Sequence, residues 1–202
     1  MRYPTEVSPF AGFAGPPTPG DWADLAENAG PAAVLILTGV FGDPPPEWEV
    51  VDRIPGVQLV DDGVAAAPFD GAISLGAGDV PEMLALVAET RPGPFLTRTV
   101  ELGTYLGVRR GGRLIAMAGE RMHPPGFTEI SAVCTAPGFR GQGLSTRLVH
   151  AVAHQIRARG ETPFLHASAS NETAIRLYRS LGFRLARTPS FLGVRVPGSP
   201  GR

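Results

Sequence analysis

The strongest periodicity lies in the second half of the chain. Leu144, Leu148, Val152 and Ile156 recur every four residues and put one apolar stripe on a helix. Gly160 stops that helix, with Arg157 and Arg159 in its last turn, where cations suit the helix dipole. Ala174, Leu177, Tyr178 and Leu181 share a second helical face, entered at Asn171 and closed at Gly182, and the apolar run from Pro163 to Ala167 between them reads as a strand. Upstream, Val80, Met83, Leu84 and Val87 predict a third helix, with Asp79 placed to cap it and Glu82 three residues later. Arg91-Pro92-Gly93-Pro94 ends it, and a short helix is expected from Phe95 to Leu102. Strands are predicted at Ile73–Leu75, at Tyr105–Arg109 and Arg113–Glu120 as a hairpin over Gly111-Gly112, at Phe127–Thr135, and at Phe191–Val196. Hairpins followed by strand–helix units indicate an α/β class chain of the α+β, mixed-sheet kind.

The front third is less regular. Residues 1–31 are rich in Pro and Gly around one short helix at Asp21–Asn28, and Ala32–Leu37 is a compact apolar run that suits a buried strand. Trp48–Val51 and Val57–Val60 read as two short strands either side of Pro55-Gly56. The expected division is an extension or partial accessory lobe over 1–70 and the main domain over 71–202. The front segment has three open readings: cover for a sheet edge, a wall of a binding cleft, or the surface of a homodimer.

Composition narrows the functional classes. The 202 residues carry a net charge of −1, so there is no basic excess to hold nucleic acid or an anionic membrane. All 18 basic residues are arginine, an absence of lysine that points to GC-rich coding DNA and a bacterial source. A hydrophobic content of 43% supports a sizeable core. No leader pattern or membrane-length apolar run is visible, which sets a cytoplasmic, soluble protein as the expectation. Cys134 is the only cysteine, so neither an intrachain disulfide nor a cysteine-built zinc site is available, and it reads as a core residue. His150 and His154 are four apart on a helix, but Ala151 stands where a zinc protease needs Glu, and no metal is expected.

Chemistry concentrates in the turn Arg140-Gly141-Gln142-Gly143-Leu144-Ser145. A strand ends at Thr135, Pro137 interrupts the ladder, and a helix begins near Gly143. The first turn of a helix exposes unpaired N–H groups, and two glycines let an anion approach them closely. Arg140 adds a permanent charge and Ser145 a small hydroxyl, so the turn is suited to a phosphate or pyrophosphate. It matches neither the common nucleotide loop, which needs Gly-Lys-Ser/Thr, nor the dinucleotide fingerprint, whose third glycine is replaced by Thr146.

About thirty residues later comes Asn171-Glu172-Thr173-Ala174-Ile175-Arg176-Leu177-Tyr178-Arg179-Ser180-Leu181-Gly182-Phe183. The two segments together resemble the GNAT superfamily of acyl-CoA-dependent N-acetyltransferases. Its hallmarks are an Arg or Gln turn with glycines after the fourth strand and an Asn, Ala, Tyr and Gly-Phe helix after the fifth. Ser145 stands where that turn usually has Gly or Ala, and the resemblance covers roughly residues 73–188. It implies a splayed, mostly antiparallel sheet flanked by helices, with acetyl-CoA as co-substrate. By that resemblance, residues 140–145 take the pyrophosphate, and Val133, Cys134 and Thr135 lie along the pantetheine arm. Asn171 bonds the arm from the other side, Ala174 leaves room for it, and Tyr178 is the general acid for the departing thiolate. Glu129 is at the spacing of the family's base, with Glu120 and His123 as substitutes, since an alkyl ammonium must lose a proton before it attacks. The acceptor, a small-molecule or peptide amine, is expected to be chosen by residues 80–102 and the Pro124–Gly126 turn. A non-catalytic acyl-CoA sensor and an enzyme for longer acyl chains are the alternatives.

Overall fold

The computed structural model describes residues 3–39 and 42–198. Its described strands form one sheet of ten: β1 (Phe10–Ala11), β2 (Val34–Leu37), β3 (Glu49–Asp61), β4 (Ile73–Leu75), β5 (Tyr105–Arg110), β6 (Arg113–Glu120), β7 (Phe127–Thr135), β8 (Thr162–Ser168), β9 (Phe183–Arg187) and β10 (Ser190–Arg195). Four helices accompany it: α1 (Pro19–Ala29), α2 (Val80–Thr90), α3 (Leu144–Ala158) and α4 (Glu172–Ser180). The order is β1-β2-β10-β3-β8-β7-β6-β5-β4, with β9 on β3, and only the β1–β2 and β7–β8 pairs are parallel. The mixed, mostly antiparallel sheet is the class that the sequence predicts.

The predicted apolar stripes are the buried ones. Leu144, Leu148, Val152 and Ile156 of α3 are at most 3% exposed and pack on β6 and β7. Met83 and Leu86 of α2 are buried in the same core. Asp79 does not cap α2: its carboxylate accepts from the Gly76 N–H at 2.9 Å and pairs with Arg109 at 2.7 Å. The helix expected over 95–102 is reduced to a single 3-10 turn at Thr99–Leu102.

The front third departs most from expectation. The two short strands are one 13-residue strand, β3, running straight through Pro55-Gly56. Residues 49–55 pair with β10, whereas 56–60 pair with β8 and 58–61 with β9. Pro55, which has no N–H to donate, sits where the partner strand changes. Its carbonyl accepts from Ala169 N, and Gly56 N donates to Pro189 O, each at 2.8 Å. The boundary expected near residue 70 is therefore not a boundary in the sheet, because β3 lies inside it between β8 and β9. Residues before β3 do form a smaller core of their own with β10, built on Trp22 and Trp48, whose ring centroids are 4.9 Å apart.

Candidate active site

The β7–β8 pair opens a cleft in the middle of the sheet. Their pairing runs only from Phe127–Thr162 to Ile130–Leu165; beyond that, β7 stays with β6 and β8 stays with β3. A bulge sits at the parting point. Ala132 and Val133 fall between the paired residues Ser131 and Cys134, opposite only Ala118, and Ala132 takes the left-handed φ of 52°. For a non-glycine residue that conformation costs about 1–2 kcal/mol. Such bulges commonly bend a strand beside a functional site.

One arm of the cleft, about 630 Å³, runs from this parting to the start of α3. Its lining holds Val133, Cys134, Thr135, Arg140, Gly141, Gly143, Leu144, Ser145, Asn171, Ala174 and Tyr178. Gln142 is exposed outside the lining, and its carbonyl accepts from Arg147 Nη2 at 3.1 Å. Gly141 and Gly143 have φ of 76° and 70°, a region open mainly to glycine. They swing the chain so that no backbone N–H from Gly141 to Thr146 has a partner among the described residues. Thr135 Oγ1 and Ser145 Oγ tie strand end to helix start at 2.9 Å. Arg140 bonds the Thr135 carbonyl through Nε at 3.2 Å and meets no carboxylate among the described residues. The result is a row of free donors at the positive end of a helix with the Arg140 cation beside it, and every member of the row but Gln142 lines the cleft.

Tyr178 stands at the inner end of this arm. Asn171 starts α4, its Oδ1 accepting from Ala174 N at 3.1 Å, and so fixes the turn on which Tyr178 is carried. Tyr178 is 7% exposed, and its ring packs edge-on against Phe183. Its hydroxyl has no hydrogen-bond partner among the described residues. Burial pushes the phenol up to about 12, so it carries its proton at neutral pH. Burial likewise raises the Cys134 thiol to about 11, leaving it a neutral wall of the cleft.

A second arm, about 300 Å³, meets the first at Arg91, Pro92, Val133, Asn171, Ala174 and Tyr178. Its walls come from the front strands and the end of the chain: Phe10, Ile36, Ile54 and Phe191. Arg121 and His166 also line it. The Arg121 guanidinium lies 4.5 Å over the Phe10 ring. The Pro124–Gly126 turn, expected to help choose the acceptor, lines neither arm; of the 80–102 region, Thr90–Pro94 does.

Glu129 does not face the cleft. It is wholly buried and clasped by Arg121, Nε to Oε2 at 2.7 Å and Nη2 to Oε1 at 2.6 Å. His166 Nδ1 lies 2.8 Å from Glu129 Oε1. Although burial opposes ionisation, the Arg121 charge and these hydrogen bonds hold the carboxyl down at about 2. A carboxylate so held is too weak a base to take a proton from an ammonium, which corrects the direct role expected for it. Its two substitutes are no better placed. Glu120 pairs with Arg159 at 2.9 Å, His123 Nε2 lies 2.6 Å from the Leu102 carbonyl, and neither lines an arm. His166 does line one, and Gln58 Nε2 stands 3.1 Å from its Nε2. The sequence signal for His166 was its strand alternation relative to Phe164 on the strand beside Glu129; Arg121 carries no such signal, since it follows β6 in a loop.

Three comparisons bear on this geometry. The family described as FR47-like protein matches residues 105–192. N-alpha-acetyltransferase RimI of Mycobacterium tuberculosis is 35% identical over 83 residues, 40% of this chain and 51% of that protein. A mycothiol acetyltransferase of Thermomonospora curvata is 39% identical over 82 residues, 40% of this chain and 27% of its own. The chain thus spans about half the length, or less, of these curated relatives. A solved structure from Novosphingobium aromaticivorans, assigned to the GNAT family of acetyltransferases, is 42% identical, with a TM-score of 0.84. The match covers 98% of this chain and 86% of that one, front segment included.

Proposed function

The chain belongs to the GNAT family of acetyltransferases, and from that premise we propose that it transfers an acetyl group directly from acetyl-CoA to a primary amine. One observation carries the reading: Gly141 and residues 143–146, with their free N–H groups, and Tyr178, with its unpartnered hydroxyl, line a single cleft. The residues fit coenzyme A. The amide row and Arg140 suit a pyrophosphate, the unpaired margin of β7 at Val133–Thr135 suits an extended amide-bearing arm, and Ala174 adds little bulk between them.

Bound acetyl-CoA supplies the thioester carbonyl that the amine attacks. The chain's own groups do the rest. Tyr178, kept protonated by burial, holds a proton at the place where a thiolate leaves. Arg121, paired to Glu129, keeps that carboxylate ionised and in place beneath His166. With its Nδ1 proton donated to Glu129, His166 accepts from the Gln58 amide at Nε2, and that lone pair takes a proton once the Gln58 amide yields the position. His166 therefore takes the base role that sequence spacing assigned to Glu129, directly or through water, with Glu129 as its positioning residue.

The test has two readouts. Titration calorimetry with coenzyme A should show saturable binding, and thiol release from acetyl-CoA should rise when amines are added. Binding without stimulation by any amine would leave an acyl-CoA-binding module; no heat at millimolar coenzyme A would end the reading altogether.

A further inference from the structure

Among the described residues, the two arms of the cleft are lined by no Asp or Glu. The charged side chains that do line them are Arg91, Arg121 and Arg140, with the His166 imidazole beside Arg121. Glu129, 2.8 Å from the lining His166, is clasped by Arg121 and wholly buried. An ammonium that enters must give up hydration with no free carboxylate to replace it. Beside these polar groups the far arm carries an apolar and aromatic wall of Phe10, Ile36, Ile54, Phe191 and Pro94. The first four belong to β1, β2, β3 and β10, and Pro94 to the loop after α2, so the front and final strands set most of the character of the arm.

Resting on the acetyl-transfer reading, we infer that the acceptor is a weakly basic primary amine of the α-amino kind, carried next to an apolar or aromatic group. Strongly basic alkylamines and polyamines are excluded. Protonation sets the size of the preference. At pH 7.5 an α-amino group of pKa about 7.8 is roughly one-third neutral, while a lysine-type amine of pKa about 10.4 is neutral in about one molecule per thousand. The difference in attacking species alone is about 250-fold, and the uncompensated entry of the cation adds to it.

The experiment compares leucinamide and phenylalaninamide with cadaverine and Nα-acetyl-lysinamide at pH 7.5, following thiol release. The amides should lead in kcat/KM by about 100-fold or more. Ile54→Glu, at a position already 37% exposed, places a carboxylate in the arm and should narrow that ratio by about tenfold, chiefly by lowering KM for cadaverine. Parity or a lead for the alkylamines in the unaltered enzyme overturns the inference. If neither class stimulates release, the transfer reading fails instead. Calorimetry on the coenzyme A-loaded protein then still decides: phenylalaninamide binding more tightly than cadaverine upholds the acceptor class, and equal, reversed or absent binding overturns it.

Discussion

Tyr178 and Glu129 show how far a residue's type and spacing carry. For Tyr178, spacing along a capped helix was enough to place the side chain on the cleft, because the register of α4 is set locally by Asn171 and the turn before it. For Glu129, spacing placed the residue correctly but not its neighbours. Arg121 comes from a loop and His166 from another strand, and nothing local in the sequence brings them to the same carboxylate. Tyr178→Phe should lower kcat by about 10²-fold, the low end for a lost general acid, while the dissociation constant for coenzyme A changes by no more than about twofold. Steady-state kinetics with calorimetry on the same variant checks both, and unchanged turnover would remove Tyr178 from the chemistry. Glu129→Gln should cost about 3–5 kcal/mol of stability at pH 7, because it leaves the Arg121 charge buried without a partner. The linkage has a definite direction. Glu129 is lowered from 4.5 to about 2 in the folded chain, so its contribution is complete above about 4.5 and fades as pH falls toward 2. Urea unfolding at pH 7 and through the acid range should show that fading in the native protein and not in the Gln variant.

At the level of elements, helices were legible and strand partners were not. The stripes of α3 and α4 repeat within one segment, so a single sequence displays them whole. A strand's length depends on neighbours distant in the chain. Pro55-Gly56 looked like a break because proline removes a ladder donor, yet β3 changes partner there and needs none from it. β9 escaped for the same reason: Phe183–Arg187 is short, and all its described residues after Phe183 are exposed, so it lacks the buried alternation that marks a strand. The turn before α3, by contrast, announces itself through two glycines and an arginine. Arg140→Glu should weaken coenzyme A binding by about tenfold or more at low salt, with a smaller deficit at 0.5 M salt as screening sets in. Calorimetry at two ionic strengths is the measurement, and salt-independent loss would point to a local fold defect instead of lost charge.

For the whole molecule, the division into a front lobe and a catalytic domain was the reading least matched by the sheet. Composition changes near residue 70, but β3 supplies the neighbour that β8 needs on the side away from β7. A chain of residues 71–202 would expose the β8 and β10 edges that β3 covers and lose the buried Val57 and Leu59 from the core. It should be aggregated or without cooperative unfolding; a soluble chain with a sharp thermal transition would show that the front segment is dispensable for folding.

Because β3 is at once a beam of the scaffold and the carrier of Ile54 and Gln58, selectivity here cannot be re-engineered by transplanting a lobe from a relative. A graft would exchange the support together with the recognition surface. On the acceptor class proposed above, respecification has to proceed by single side chains, with Phe10, Ile36, Ile54 and Phe191 as the dials and the backbone beneath them left as it is.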